Sequence, residues 1–195
     1  MFEVVTNLLM HKQITFEKGK LTIFNQPCSI APTDIFFQIQ KELEKNNDLN
    51  IIYYAAKQSG FKWFRTMSVA YKLTKKTDVL KWGMSLMELA GFGVSSYLKQ
   101  QLEGKPIIEV KVEDSPFVKQ YGQSPIGVDI VYRGLLAGAM EYTFGMQMDC
   151  IEVKCAAKGD PFCVLVVKPT ENLDLSDPIA NYQLSSKSNI KKTNS

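Results

Sequence analysis

The sequence predicts a single α/β domain, and three observations carry that expectation. Apolar and polar residues alternate on both sides of glycine-bearing turns at 13–30, 94–113 and 150–167. Between the first two of these runs, apolar residues recur at helical spacing. A chain of 195 residues, 45% hydrophobic and 22% charged, has the ordinary composition of one globular unit and is long enough to bury a real core.

Each element can be justified in order. Residues 13–30, QITFEKGKLTIFNQPCSI, read as two short strands joined at Glu17-Lys18-Gly19-Lys20, where Gly19 is free to take positive φ. Cys28, remote from the other cysteines, is expected to pack. PTDIFFQIQKELEKNN reads as an amphipathic helix capped by Thr33 or Asp34, with Ile35, Phe36, Ile39 and Leu43 on one face and Asn46-Asn47 as its stop. From Asp48 to about Leu73 a longer helix carries Ile52, Ala56, Trp63, Met67 and Ala70, widened by Tyr53, Gly60 and Phe64, and is expected to be largely buried. Thr77 can cap a third helix with Leu80, Met84 and Met87 on one face, ending at Gly91-Phe92-Gly93.

The second half turns to strand. VSSYLKQQLEGKPIIEVKVED reads as two strands around Glu103-Gly104-Lys105-Pro106. Residues 127–145 form a helix whose Gly134 and Gly138 mark a face where another backbone comes close. CIEVKCAAKGDPFCVLVV is the last hairpin. Beyond Lys168-Pro169 the chain becomes polar, so the domain is expected over 1–181, with 182–195 a flexible tail.

Several function classes are set aside. A net charge of +3, with lysines spread among glutamates, makes nucleic-acid binding a poor expectation. No apolar run approaches the ~18 residues of a membrane helix, and the start lacks a leader pattern, so a cytoplasmic protein is expected. His11 is the single histidine, which leaves no Ser-His-Asp set beyond it and makes a haem with proximal His11 rest on one residue. Gly91-Phe92-Gly93 lacks the third glycine of a nucleotide loop. An enzyme is not the expectation.

Three of the four cysteines lie in 150–163, with Glu152 among them. A turn centred on Gly159 would face Cys155 toward Cys163, with Cβ atoms about 4.5–5.5 Å apart, close enough to share a metal and marginal for a disulfide. Glu152, three residues before Cys155, points to the opposite face of a regular strand. It joins the pair only if the strand bulges or the ladder frays there, and Cys150 has the same parity. Spacing alone leaves a metal and packed thiols both open.

Glu152-x2-Cys155-x7-Cys163, with Gly159-Asp160-Pro161 between, resembles the closing motif of the 4-vinyl reductase domain family, small-molecule-binding domains found in the sensory parts of phenol-responsive activators and in stand-alone archaeal proteins. The likeness extends to Ser115-Pro116-Phe117, Gly134, Gly138 and Gly145, and more loosely to Tyr54–Gly60, covering roughly 10–169. The resemblance implies an antiparallel sheet with packed helices, similar to TRAPP subunits and the nitric-oxide-signalling and Golgi-transport ligand-binding fold, commonly as a homodimer. It also implies a structural zinc held by Glu152, Cys155 and Cys163, the family's first cysteine ligand falling on Asp129, with Cys150 as the alternative fourth donor. A closed site of this kind stabilises a fold and does not activate water.

The same resemblance implies an apolar ligand cavity between helices and sheet, for which Trp63, Met67, Trp82, Met84 and Tyr132 are candidate linings. The expected function is a non-catalytic sensor or carrier of a hydrophobic small molecule, acting through a separate effector protein. The alternatives are an accessory or scaffold subunit, and a relative of a tetrapyrrole vinyl reductase.

Overall fold

A computed structural model describes residues 6, 10 and 13–184 of the chain; His11 and the expected tail from 185 lie outside them. Strands β1 (Ile14–Glu17) and β2 (Lys20–Ile23) form the expected antiparallel hairpin around Gly19, whose φ is 81°. A third strand, β3 (Gln26–Cys28), folds back on β2 through Phe24 and Asn25, both at positive φ. No glycine marks that turn, so the sequence shows two strands where the fold has three. Phe24, 1% exposed, docks this small sheet on the helices, edge-on to Trp63 and Tyr71 at ring distances of 6.2 and 5.6 Å.

Helix α1 (Thr33–Lys45) begins after Pro32 and not after a side-chain cap at Thr33 or Asp34; proline's fixed φ sets the helix entry instead. Ile35 and Ile39 are 48% and 43% exposed, so its apolar face is only partly covered. Helix α2 (Leu49–Ala70) buries one stripe, Tyr53, Ala56, Gly60, Phe64 and Met67. It is not largely buried as expected: Ile51, Tyr54, Val69 and Ala70 are exposed, because its neighbours leave that side uncovered. Helix α3 (Lys76–Leu89) starts from Lys75 without a side-chain cap, correcting Thr77, and buries Leu80, Met84 and Met87 as expected.

The main sheet has the order β4-β5-β7-β6, antiparallel throughout, from β4 (Val94–Gln101), β5 (Ile107–Glu113), β6 (Met148–Lys154) and β7 (Cys163–Pro169). Between β5 and β6 lie α4 (Pro116–Tyr121) and α5 (Ile130–Phe144). The centre of the fold is α2 against α5. A Cβ at Gly134 would run into Tyr53 O, one at Gly138 into Lys57 O, and one at Gly60 into Leu135 O. The two helices therefore touch backbone to backbone, as the Gly-x-x-x-Gly step predicts.

Polar bonds tie this pair to the sheet. The Tyr53 hydroxyl donates to Asp149 at 2.9 Å and accepts from the Cys150 N–H at 3.0 Å, while Lys57 pairs with Asp149 and Glu141 at 2.9 and 3.1 Å. The chain then closes on helix α6 (Pro178–Leu184), with Ala180, Gln183 and Leu184 buried. Residues 182–184 belong to this helix, not to a tail: Leu184 supplies apolar burial, and the Gln183 amide finds backbone partners. Among the described residues no helix is long and apolar enough to cross a membrane.

Candidate metal centre

Two local irregularities bring the cysteine hairpin's polar groups together. The β6–β7 register shifts between Glu152 and Lys154, a bulge that removes the parity barrier between Glu152 and Cys155. Cys155 then lies just past the end of β6, and a short 3₁₀ turn, Ala156–Lys158, with Gly159 at φ 100°, leads back to Cys163 at the start of β7. Cys155 and Cys163 are thus not ladder partners; they flank the turn. Asp160 accepts the Cys155 N–H at 2.8 Å and the Cys163 sulfur accepts the Ala156 N–H at 3.3 Å, which fixes the turn.

One ligand atom from each of Glu152, Cys155 and Cys163 lies within 4.8 Å of the others, and all three residues are buried. The two sulfurs are 4.0 Å apart and the cysteines are free thiols. Asp129, the residue before α5, is 0% exposed and adjoins this triad without being one of its three members. Its N–H donates to Glu152 Oε2 at 3.1 Å, and its Oδ1 accepts from the Ser115 hydroxyl. Cys150 is buried but outside the triad, its thiol facing Ile151 O at 4.0 Å.

The electrostatics of the group are unfavourable as they stand. Asp129 Oδ2 and Glu152 Oε1 are buried without hydrogen-bond partners, and neither carboxylate has an ion-pair partner among the described residues. Burial pushes the Asp129 carboxyl up to about 6 and the Glu152 carboxyl well above its usual range. The Cys163 thiol, donating to Cys155, lowers Cys155 to about 5, while Cys163 itself is raised because it keeps the shared proton. Two orphaned carboxylate oxygens and two sulfurs in one dry pocket form a donor set that suits a borderline-soft divalent cation such as zinc.

Two supporting residues were not singled out in the sequence. Gly127 clears space for the Glu152 carboxylate, since a Cβ there would strike Oε2. Gln183 binds both backbone groups of Glu152, accepting its N–H at 2.8 Å and donating to its carbonyl at 2.9 Å. Glycine spacing offered no signal for the first, and the second lay within the stretch read as tail.

The candidate ligand residues sit elsewhere. Tyr132 is 0% exposed and shares a 2.6 Å hydrogen bond with Ser95, and Met67 and Met84 are core. Trp63 packs on Phe24, and Trp82 stacks on Tyr71 at 4.4 Å. Among the described residues, none of the five lines any of four surface cavities of about 310–540 Å³.

Residues 108–169 match the V4R domain family. The V4R match runs from β5 to β7 and contains Asp129, Glu152, Cys155 and Cys163; the resemblance read upstream of 108 lies outside it. In fold, the chain is similar to the phenol-responsive sensory domain of the transcription activator PoxR, with a TM-score of 0.79 at 18% identity over 95% of this chain and 98% of that one. It is also similar to a vinyl-4-reductase family protein from Methanocaldococcus jannaschii, TM-score 0.53, 17% identity, covering 88% of this chain and 92% of that one. A trafficking protein particle complex subunit 3 from Naegleria fowleri, covalently bound to palmitic acid, gives 0.52 at 13% identity over 72% and 92%. At these identities the likenesses show the fold, an antiparallel sheet with packed helices as in TRAPP subunits. No curated protein matches the chain in sequence.

Proposed function

We propose that this chain is a small-molecule sensor or carrier domain whose fold is closed by a structural zinc held by Asp129, Glu152, Cys155 and Cys163. The observation that carries the reading is the buried Glu152–Cys155–Cys163 triad within 4.8 Å, with an orphaned oxygen on Glu152 and another on the adjoining Asp129. Zinc would supply charge neutralisation and a crosslink between the start of α5 and the last hairpin; four protein donors leave no position for a reacting water. Family and fold support the sensing role, since the phenol-responsive sensory domain has the same architecture over nearly the whole chain. The domain would act as a homodimer in the cytoplasm, on a separate effector, with Trp63, Met67, Trp82, Met84 and Tyr132 repacking around an apolar guest.

Elemental analysis and native mass spectrometry test this directly. One zinc per chain is expected, lost in Cys155→Ser/Cys163→Ser, together with retained or added small-molecule mass. Metal-free wild-type protein that folds as stably as the variant would sink the zinc assignment. A scaffold role is the second reading, and the packing of Tyr132, Met67 and Met84 into the core favours it, because side chains already fill the space a guest would need. A zinc-only protein that co-purifies with a partner and takes up no small molecule would decide for it.

A further inference from the structure

Arg133 is not among the proposed metal ligands, although its charge acts on the Asp129 and Glu152 carboxyls and opposes the rise that burial causes. It is 2% exposed, yet no ion pair among the described residues includes it. Its Nη2 donates to Gln183 O at 3.3 Å, its guanidinium lies 5.0 Å from the Tyr53 ring centroid, and its Nε finds no acceptor. A guanidinium withdrawn from water in this way is unfavourable unless an anion meets it.

The same residue lines a cavity of about 490 Å³, walled also by Asn50, Ile130, Ser176, Asn181 and Gln183. That volume is within the range of small-molecule sites, roughly 300–1,000 Å³. Ile130 is the first residue of the 15-residue α5; the Asp129 side chain makes no cap bond there, and Glu152 Oε2 takes the Asp129 N–H. The first turn of α5 therefore borders the cavity through Ile130, beside a buried cation.

We propose that this cavity binds a small organic carboxylate, held by Arg133 and the amide side chains of its wall. The proposal rests on the small-molecule reading above and names a ligand class for a site that reading does not contain. A monoanion is favoured over a phosphate dianion, because one guanidinium balances one charge and Asp129 and Glu152 lie close by. Its carboxylate would compete with Gln183 O for Arg133, so occupancy would be felt in α6.

Calorimetric titration of the full chain with benzoate, and with phenol as a neutral probe of similar shape, tests the site. Benzoate is expected to bind, and Arg133→Met to weaken it at least tenfold, with Arg133→Lys recovering part of the loss. Asn181→Trp, on the exposed wall, should block uptake without touching the cation, and decides the matter if Arg133→Met fails to fold. Benzoate binding unchanged in Arg133→Met and Asn181→Trp, or no benzoate uptake at all, overturns the proposal. Phenol binding without benzoate binding also overturns it while leaving the sensor reading intact.

Discussion

Gly127 shows how little room the metal centre leaves. A methyl group there would meet Glu152 Oε2, so Gly127→Ala should turn the carboxylate away from the two sulfurs. The expected result is zinc affinity lowered about 10–100-fold with a folded protein, read by competition with a chromophoric chelator. The titrating groups give a second prediction at this scale. Asp129 rises from 3.8 to about 6 and Glu152 is raised as well, so in metal-free protein their stabilising share is present at acid pH and is lost as pH climbs through 6. Cys155, lowered from 9.0 to about 5, works in the opposite direction, but between those two values, so it opposes the carboxyls above pH 5 and is silent below it. Chelated protein should therefore gain thermal stability between pH 5 and pH 4, where the carboxyls act unopposed, whereas zinc-loaded protein should lose it as protons displace the ion. Melting curves with and without chelator check the opposed slopes; parallel slopes would count against bound metal.

At the scale of elements, the sequence displayed regular features and hid irregular ones. Hairpins at Gly19, Gly104 and Gly159 were legible because glycine and alternation coincide there, and the helix stripes at 49–70 and 76–89 were legible from period alone. Helix starts were misread at Thr33 and Thr77, since a threonine that can cap is not thereby a cap, and neighbouring Pro32 and Lys75 hold those positions. Strand β3 was missed because Phe24 and Asn25 take positive φ without a glycine. The pairing of Glu152 with Cys155 needed a bulge that spacing could pose as a condition but not place. The α2–α5 contact makes the sharpest element-level test. Gly138→Val would push a side chain into the Lys57 carbonyl, with an expected loss of about 3 kcal/mol, or roughly 6–12 °C in Tm. An unchanged melting point would mean the helices do not meet as closely as described.

The molecule as a whole is ordered around the joint of α5 and the last hairpin, with the β1–β3 sheet seated to one side on Phe24. Gln183 ties α6 to that joint, and its position has a consequence for how copies of the chain behave toward one another. Strand β6 is one of the two edge strands of the main sheet, and the outward N–H and C=O of Glu152 are both taken up by the Gln183 side-chain amide. That amide thus imitates the next strand at one residue and, with the Tyr53 hydroxyl on the Cys150 N–H, covers part of a rim that would otherwise template pairing with a second chain. Gln183→Ala should leave the fold recognisable by circular dichroism yet make concentrated solutions associate and cloud on warming, as light scattering would record. Protein that stays dispersed after this change would show that the rim is guarded by something else.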